Sequence, residues 1–322
     1  MRIKKAVITA AGRGNRLFPA ADTVQKGMLP LVDRDGVCKP VLQIIAEDAL
    51  DSGVEEICVV CAPGDDAAYK RLFGCLRDNL VEAYKGVDWA QSQASRIDNL
   101  LKRLHFAPQQ SPVGYGDAVH CAKEFVGSEP FLLLLGDHVY LSADPDGKRC
   151  VQQVIEVAAR EECAVAAVRA TREHLVGRYG TVSGKRVPDQ PGLYQIEKIL
   201  EKPSLSRAEL ELQIPGLRVG HFLCFFGLHV LTHRIFEIIE EQARDNGNAE
   251  IQLTPALQAL ASTETFLALE VRGDRYDIGV KFGLLQAQLA LGLAGEDRDR
   301  LLASLVGVLA QAHERQDLNL DT

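Results

Sequence analysis

A glycine-rich segment near the start of the chain, Ala10-Ala-Gly-Arg-Gly-Asn-Arg-Leu17, has the composition of a phosphate-binding loop. Gly12 and Gly14 have no side chain, so backbone N–H groups there can approach phosphate oxygens, and Arg16 can add a bidentate contact. The dinucleotide-binding fingerprint requires a third glycine where this chain has Leu17. By itself, the segment is therefore as typical of an ordinary strand-to-loop turn as of a phosphate site.

Four charged side chains have the chemistry to hold anionic substrates or a metal ion. Asp137 follows a fully apolar predicted strand, where a carboxylate without a partner is costly, and this favours a ligand role. Asp277 either binds a metal or caps a helix that is predicted to begin near Gly279. Taken alone, Lys26 would be a solvated loop residue and Lys202 the partner of a salt bridge.

Two metal-like spacings are better explained as structure than as ligand sets. Cys58 and Cys61 are spaced as CxxC inside a predicted strand, so their side chains face opposite sides and are interpreted as buried thiols. His229 and His233 straddle a predicted strand end and helix start, which does not favour a shared metal.

An ordered series of short motifs runs along the chain from residue 6 to about residue 292. In chain order these are Gly12-x-Gly-x-Arg16, Gln25-Lys26-Gly-Met-Leu-Pro-Leu-Val-Asp33, Lys39-Pro40, Gln109 followed by Gly114-Tyr-Gly116-Asp-Ala118, Leu134-Leu-Gly-Asp137, Gly177-Arg-Tyr-Gly-Thr-Val182, Glu201-Lys-Pro203, Glu250-Ile-Gln-Leu-Thr254 and Tyr276-Asp-Ile-Gly279. Together they resemble the signature of nucleotide-sugar pyrophosphorylases, most closely that of bacterial UTP–glucose-1-phosphate uridylyltransferases.

The resemblance implies a nucleotidyl transfer, in which an oxygen of glucose 1-phosphate attacks the α-phosphorus of UTP and pyrophosphate leaves. Two anionic substrates repel each other, so cations must offset their charge in the transition state. By resemblance, Arg16 and Lys26 hold the triphosphate, Lys202 holds the sugar phosphate, and Asp137 and Asp277 share one Mg²⁺. The remaining substrate contacts implied are Ala10, Ala11, Gly12 and Gly14 in the glycine-rich segment, Gln109 and Gly114 at the uracil, and Gly180 and Glu201 at the sugar hydroxyls.

The chain departs from the uridylyl pattern at several positions. Asn15 replaces the usual Thr, Gly27 replaces the usual Glu, and residues 33–38 add length before Lys39-Pro40. The sequence Gly136-Asp137-His138 is more similar to that of thymidylyltransferases than to that of uridylyltransferases. Phe222 occupies the position where the family usually has an Asn that contacts the sugar. These departures bear on the base and the sugar more than on the reaction, so thymidylyl or other sugar nucleotidyl transfer stays open.

The pattern of apolar runs predicts an α/β fold, a Rossmann-like three-layer sandwich around a mainly parallel mixed sheet. Predicted strands lie at 5–9, 56–61, 104–107, 130–135, 164–170, 179–183, 193–200, 222–228 and 266–271. Predicted helices lie at 41–53, twice between 64 and 103, and at 117–125, 151–158, 235–239, 279–293 and 298–312. We expect one catalytic domain over 1–295 and a helical tail over 296–322.

Composition narrows the class of protein and its partners. The 322 residues are 47% apolar and carry 36 basic against 44 acidic side chains, a net charge of -8 that disfavours nucleic-acid binding. No apolar run approaches the ~20 residues of a membrane span, and the run after the basic start is too short for a signal peptide. We therefore expect a cytoplasmic protein without membrane contact. The resemblance also implies a homo-oligomer, and the apolar stripe of the last helix would either dock on the domain or contact a subunit.

Two other functions remain open from the sequence. A non-catalytic nucleotide-sugar sensor would use the same scaffold, although retention of both lysines and both aspartates disfavours it. A nicotinamide-dependent dehydrogenase would share only the strand–glycine–helix start, and the absent third glycine argues against it.

Overall fold

The computed structural model describes residues 1–12, 24–246 and 250–320. Within these ranges the strands are β1 (Lys5–Thr9), β2 (Pro30–Val32), β3 (Cys38–Pro40), β4 (Glu56–Cys61), β5 (Leu104–Pro108), β6 (Phe131–Leu135), β7 (His138–Ser142), β8 (Ala164–Arg172), β9 (Thr181–Arg186), β10 (Leu193–Leu200), β11 (His221–Leu231), β12 (Phe266–Glu270) and β13 (Gly273–Asp277). The helices are α1 (Val41–Asp51), α2 (Asp65–Ala83), α3 (Asp88–Arg103), α4 (Tyr115–His120), α5 (Lys123–Val126), α6 (Cys150–Glu161), α7 (Leu205–Glu211), α8 (Arg234–Asn246), α9 (Leu253–Thr263), α10 (Gly283–Leu293) and α11 (Arg298–Leu320), with 3-10 helices at Lys26–Met28 and Glu173–Arg178.

The central sheet has nine strands in the order β5-β4-β1-β6-β11-β8-β12-β10-β9. Seven strands point the same way, because only β10 and β11 run antiparallel to the strands beside them. One face packs against α1, α2, α3, α6 and α10, and the opposite face packs against α4, α5, α8 and α9. The predicted three-layer α/β sandwich with a mainly parallel mixed sheet is thereby confirmed.

Strand β6 is apolar at every position because it is covered on both faces. Leu132 and Leu134 join the core on one side, and Phe131 and Leu133 join the core on the other. Such continuous apolar runs are typical of strands in parallel α/β sheets. The chain turns at Gly136 directly after this strand, which brings the carboxylate of Asp137 to the edge of the sheet.

The two cysteines of the CxxC spacing lie on opposite faces of β4, as predicted. Cys61 belongs to the first apolar core and Cys58 to the second. Burial raises the pKa of both thiols to about 12, which keeps them protonated near neutral pH. Neither is therefore suited to bind a metal as a thiolate.

A separate two-stranded ribbon, β7 with β13, lies beside the main sheet. Its antiparallel register places Asp277 opposite His138 and Arg275 opposite Tyr140. Neither strand of this ribbon is predicted by the apolar pattern of the sequence, and neither is the short β2–β3 pair. All four have only three to five residues, which is too few for an apolar period to identify them as strands.

Several predicted boundaries differ from the structure, and three of these lie next to predicted site residues. The helix predicted at 117–125 is two short helices, α4 and α5, separated by a turn at residues 121–122. The strand predicted from Tyr179 begins at Thr181. The helix predicted from Gly279 begins at Gly283. Residues 279–282 form a tight turn instead, in which the backbone of Gly283 approaches the carbonyl oxygen of Asp277 so closely that any side chain at position 283 would clash with it.

The last helix, α11, contacts the rest of the chain mainly through its first turns. Leu301 packs against Gly292 of α10, whereas the side chains of Val306 and Leu309 are 66% and 69% exposed. The apolar stripe therefore does not dock on the domain along its whole length, and the subunit contact stays a prediction. None of the helices in the described ranges has the length and apolar character needed to cross a membrane.

Candidate active site

A cleft of about 730 Å³ opens where β1, β4, β5 and β6 end. These are the carboxyl ends of four neighbouring parallel strands, the edge at which open α/β sheets bind ligands. Seven predicted site residues line this cleft: Ala10, Ala11, Gly12, Lys26, Gln109, Gly114 and Asp137. The structure thus brings together residues that are far apart in the chain.

One end of the cleft is formed by Gln109 and the loop before α4. The side-chain amide of Gln109 donates to the carbonyl oxygen of Gly114 at 3.2 Å and to Asp117 at 2.7 Å. Gly114 has a φ of +128°, and a side chain there would clash with the backbone of Ile251. Only glycine therefore fits at this turn, where the backbone lines the cleft. Gln110 also lines the cleft but is exposed, so position 109 is the one held in place.

The other end of the cleft carries a compact set of charged groups. Asp137 lies 3.3 Å from the ammonium group of Lys26 and 2.9 Å from Nδ1 of His138. Ligand atoms of Asp137, His138 and Asp277 all lie within 4.8 Å of one another. Burial alone would raise the pKa of Asp137, but the hydrogen bond and charge of His138 and the charge of Lys26 outweigh it. The pKa of this carboxyl is consequently well below its usual range.

Asp277 reaches this cluster through the pairing of β13 with β7. The backbone N–H of Ile278 donates to the carbonyl oxygen of Asp137 at 2.9 Å, and the carboxylate of Asp277 accepts from Gly279 N–H at 2.8 Å. Helix α10 begins only at Gly283, with Phe282 as its N-cap residue. Capping of that helix, the alternative considered for Asp277, is therefore excluded.

Two carboxylates at this spacing suit a hard divalent cation. Mg²⁺ prefers oxygen ligands and takes few carboxylates, while water and phosphate oxygens complete its coordination. The ring Nδ1 of His138 is already engaged with Asp137, so this side chain orients the carboxylate. The donor set of Asp137 and Asp277 thus fits the predicted Mg²⁺.

Gly180, Glu201 and Lys202 form a second set, called here the outer group, which does not line the cleft. A side chain on Gly180 would clash with the ring of Phe225 and lie 3.2 Å from the Glu201 carboxylate. Glu201 accepts a hydrogen bond from the hydroxyl of Thr254 at 2.6 Å and pairs with Lys202 at 3.3 Å. The outer group is therefore assembled, but no contact among the described residues links Lys202 directly to Asp137 or Asp277.

Gly14 and Arg16 lie outside the described residues, so their assigned roles remain predictions. The glycine-rich segment is described only as far as Gly12, which lines the cleft at the end of β1. A backbone hydrogen bond from Ala10 to the carbonyl oxygen of Val60 at 2.7 Å fixes its start against β4.

Several residues that the sequence analysis did not single out also belong to the site. Tyr115 lines the cleft; burial raises the pKa of its phenol, which is hydrogen-bonded to Thr9. Glu250 lines the cleft, and Thr254 holds Glu201. Tyr115, Glu250 and Thr254 lie inside or beside the quoted motifs, but only the fold shows that their side chains meet the predicted residues.

The departure at Phe222 has a structural consequence. Its side chain is buried in a small apolar cluster with Val176, Ala208, Leu212 and Cys224. It therefore takes part in packing, and supplies no polar group to the outer group.

Known proteins are similar to this chain over most of its length. The model of the nucleotidyl transferase family matches residues 5–292. A UTP–glucose-1-phosphate uridylyltransferase of Streptococcus pneumoniae serotype 4 is 35% identical over 299 residues, covering 91% of each chain. Another, from Streptococcus pyogenes, is 35% identical over 324 residues, covering 98% of this chain and 97% of the relative.

Solved structures show the same similarity. A UDP-glucose pyrophosphorylase from Acinetobacter baumannii has a TM-score of 0.76 and 28% identity, covering 95% of this chain and 99% of its own. A UDP-glucose pyrophosphorylase in complex with UDP-glucose has a TM-score of 0.70 and 28% identity, covering 89% and 98%. The resemblance inferred from the motifs is confirmed.

Proposed function

The chain belongs to the nucleotidyl transferase family, and from this premise we propose that it joins UTP and glucose 1-phosphate into UDP-glucose and pyrophosphate. The observation that carries the proposal is the meeting of Lys26, Asp137 and Asp277 at one end of a nucleotide-sized cleft. The names of the relatives support the same reaction.

The cleft would hold UTP with its base at the Gln109 end. The side-chain nitrogen of Gln109 already donates hydrogen bonds to Gly114 and Asp117. The side-chain oxygen of Gln109 would therefore be the atom that accepts a hydrogen bond from N3–H of uracil. Backbone N–H groups of the Gly114 turn would donate to a uracil carbonyl. Cytosine lacks the N3–H, and this arrangement therefore favours uracil.

The triphosphate would extend toward Lys26 and the glycine-rich segment. The Lys26 side chain is only 14% exposed and is already positioned there, so its ammonium group would offset phosphate charge with little reorganisation. Asp137 and Asp277 would hold Mg²⁺, which would neutralise charge on the phosphate oxygens. Arg16 would complete the set of cations around the leaving pyrophosphate.

The outer group would hold the sugar 1-phosphate. Glu201 would accept hydrogen bonds from sugar hydroxyls beside the Gly180 backbone, while Lys202 would pair with the phosphate. Alignment of the sugar phosphate oxygen behind the α-phosphorus requires no covalent intermediate, so positioning and charge supply most of the rate enhancement.

Further features remain part of the proposal. A homo-oligomer is proposed on the resemblance, and a cytoplasmic location on the absence of an apolar run of ~20 residues in the sequence. The exposed end of α11 supports a catalytic domain over 1–295 with a helical tail over 296–322.

The test is a matrix of nucleoside triphosphates against sugar 1-phosphates, with pyrophosphate release measured in the presence of Mg²⁺. We expect release with UTP and glucose 1-phosphate, and none when either substrate or Mg²⁺ is omitted. Preferential use of dTTP would instead support thymidylyl transfer, which is favoured by the thymidylyltransferase-like sequence Gly136-Asp137-His138. Binding of UDP-glucose without turnover of any pair would point to the non-catalytic sensor.

A further inference from the structure

Arg275 lies between the two sets of site residues. Its guanidinium donates to the carbonyl oxygen of Phe225 at 2.6 Å and stacks 4.2 Å from the ring centroid of Tyr179. It forms no ion pair with any residue in the described ranges, although its side chain is partly buried. By contrast, the partly buried Arg149 pairs with both Asp48 and Asp51. Arg275 is therefore held by a ring face and a backbone carbonyl.

Arg275 also lies 6.0 Å from the ring centroid of Phe226, but its contacts with Tyr179 and Phe225 are the ones that lead to the outer group. The carbonyl oxygen of Tyr179 accepts from the backbone N–H of Lys202 at 3.2 Å. The backbone N–H of Phe225 donates to the carbonyl oxygen of Gly180 at 2.8 Å. Tyr179 and Phe225, which Arg275 contacts, are thus hydrogen-bonded directly to Lys202 and Gly180, respectively.

Arg275 is also tied to the candidate metal ligands. It lies two residues before Asp277 on β13, so both side chains point to the same face of the strand. It pairs in register with Tyr140, whose hydroxyl donates to the carbonyl oxygen of Gly227 at 2.9 Å. The β7–β13 ribbon therefore makes two side-chain hydrogen bonds to the irregular part of β11, one to the carbonyl oxygen of Phe225 and one to that of Gly227.

We infer that Arg275 is a positioning residue, which sets the distance between the outer group and the carboxylates of Asp137 and Asp277. Arginine suits this role because its planar guanidinium stacks on an aromatic face and still donates in its own plane. The inference rests on the proposed function, since it concerns how the sugar phosphate is aligned with the triphosphate. A misplacement of reacting groups by about 1 Å can cost about 100-fold in rate.

The experiment compares Arg275→Met and Arg275→Lys with the unaltered full chain. Met keeps an unbranched apolar stem but removes the charge and all donors, whereas Lys keeps the charge without the stacking plane. Arg272→Met is the matched control, because Arg272 lies just before the same strand, is 65% exposed and contacts Asp144 instead. Pyrophosphate release gives kcat and KM for each substrate, and hydrogen exchange reports the backbone N–H groups of Lys202 and Phe225.

For Arg275→Met we expect kcat/KM for glucose 1-phosphate to fall about 100-fold while KM for UTP changes far less. Exchange at Lys202 and Phe225 should accelerate, Arg275→Lys should not restore activity, and Arg272→Met should match the unaltered chain. Full rescue by Lys, equal changes for both substrates, or unaltered exchange would each overturn the inference.

The two proposals fail in different ways. If the unaltered chain releases no pyrophosphate with any substrate pair, the proposed function is wrong. Exchange at Lys202 and Phe225 still decides whether Arg275 holds the outer group, since that measurement needs no turnover.

Discussion

The cleft and the outer group are built by different parts of the sheet. The cleft lies at the ends of four parallel strands, and its key side chains are largely buried, with Lys26 at 14% and Asp137 at 22% exposure. The outer group lies where β9, β10 and β11 pair antiparallel, and Glu201 and Lys202 are 38% and 61% exposed. Because buried side chains keep their positions, the cleft is more pre-organised than the outer group.

This contrast predicts that the nucleotide binds to groups already in position in the cleft, whereas the sugar phosphate must reorganise the outer group. In the cleft, Gln109 and Lys26 have fixed partners, so the nucleotide meets groups already in place. At the outer group, Glu201 and Lys202 mainly contact Thr254 and each other. In the proposed reaction a sugar phosphate would compete with the exposed Glu201 carboxylate for Lys202, so sugar affinity should depend on the contacts that hold the turn at residues 201–202.

The largest expected effect is at the carboxylates. Asp137→Asn or Asp277→Asn should lower turnover by about 1,000-fold, because each removes a charge that would hold the proposed Mg²⁺. The measurement is pyrophosphate release across a Mg²⁺ titration. Asp274→Asn is the control, since Asp274 is on the same strand but pairs with Arg169. Losses of similar size in all three variants would contradict the assignment.

A somewhat smaller effect is expected at the outer group. Lys202→Ala should reduce kcat/KM for glucose 1-phosphate by about 100-fold, with little change in KM for UTP or in thermal unfolding. Lys185→Ala offers a matched control, because Lys185 is 79% exposed and pairs with Glu197. Near-normal turnover of Lys202→Ala would show that Lys202 does not hold the sugar phosphate, and the proposed separation into a nucleotide cleft and a sugar-binding outer group would then be wrong.

The base-binding end should show an effect of about 10-fold. Gln109→Ala should raise KM for UTP by about that factor and weaken the preference for UTP over CTP, since one hydrogen bond is worth about 1 kcal/mol. Gln110→Ala should leave both unchanged. The reverse result, with position 110 dominant, would show that the held side chain is not the one that reads the base.

A further effect, on stability and not on turnover, concerns β11, the strand between the two regions. His229 is 4% exposed with an unpartnered Nδ1, and burial lowers its pKa to about 4 from 6.5. Between these pH values the unfolded chain binds a proton that the folded chain excludes, so stability is complete above about pH 6.5 and falls toward pH 4. The loss reaches about 3 kcal/mol.

Urea unfolding midpoints at pH 7.5, 6 and 5 test this prediction. His229→Leu should flatten the pH dependence, whatever its effect on absolute stability. His105→Leu, at an exposed position, should keep the slope of the unaltered chain. An equally steep slope in His229→Leu would assign the pH dependence to other groups.

Much of the fold could be predicted because buried strands and amphipathic helices leave strong patterns. The apolar run of β6 and the stripe of α6 mark their elements directly. The β7–β13 ribbon could not be found in this way, because β13, Gly-Asp-Arg-Tyr-Asp, is half-buried throughout and has no apolar period. The pairing that brings Asp277 to Asp137 depends on the whole chain.

Some residues of the site could be predicted from the sequence and others could not, because contacts between distant segments leave no local pattern. Motif resemblance identified Gln109, but only its hydrogen bonds distinguish it from Gln110. Arg275 stands one residue before the last quoted motif, and nothing in the sequence shows that it reaches Phe225 and Tyr179. Resemblance selects residues within motifs, whereas side chains that connect the motifs become visible only in three dimensions.

The register of β7 with β13 also constrains when the protein becomes competent during synthesis. Asp137 is translated before the middle of the chain, but its carboxylate partner Asp277 arrives only with β13. A nascent or truncated chain that ends before residue 273 would already contain most of the nucleotide cleft and yet lack one of the proposed magnesium ligands. Incomplete chains are therefore expected to be inert, and capable at most of sequestering nucleotide.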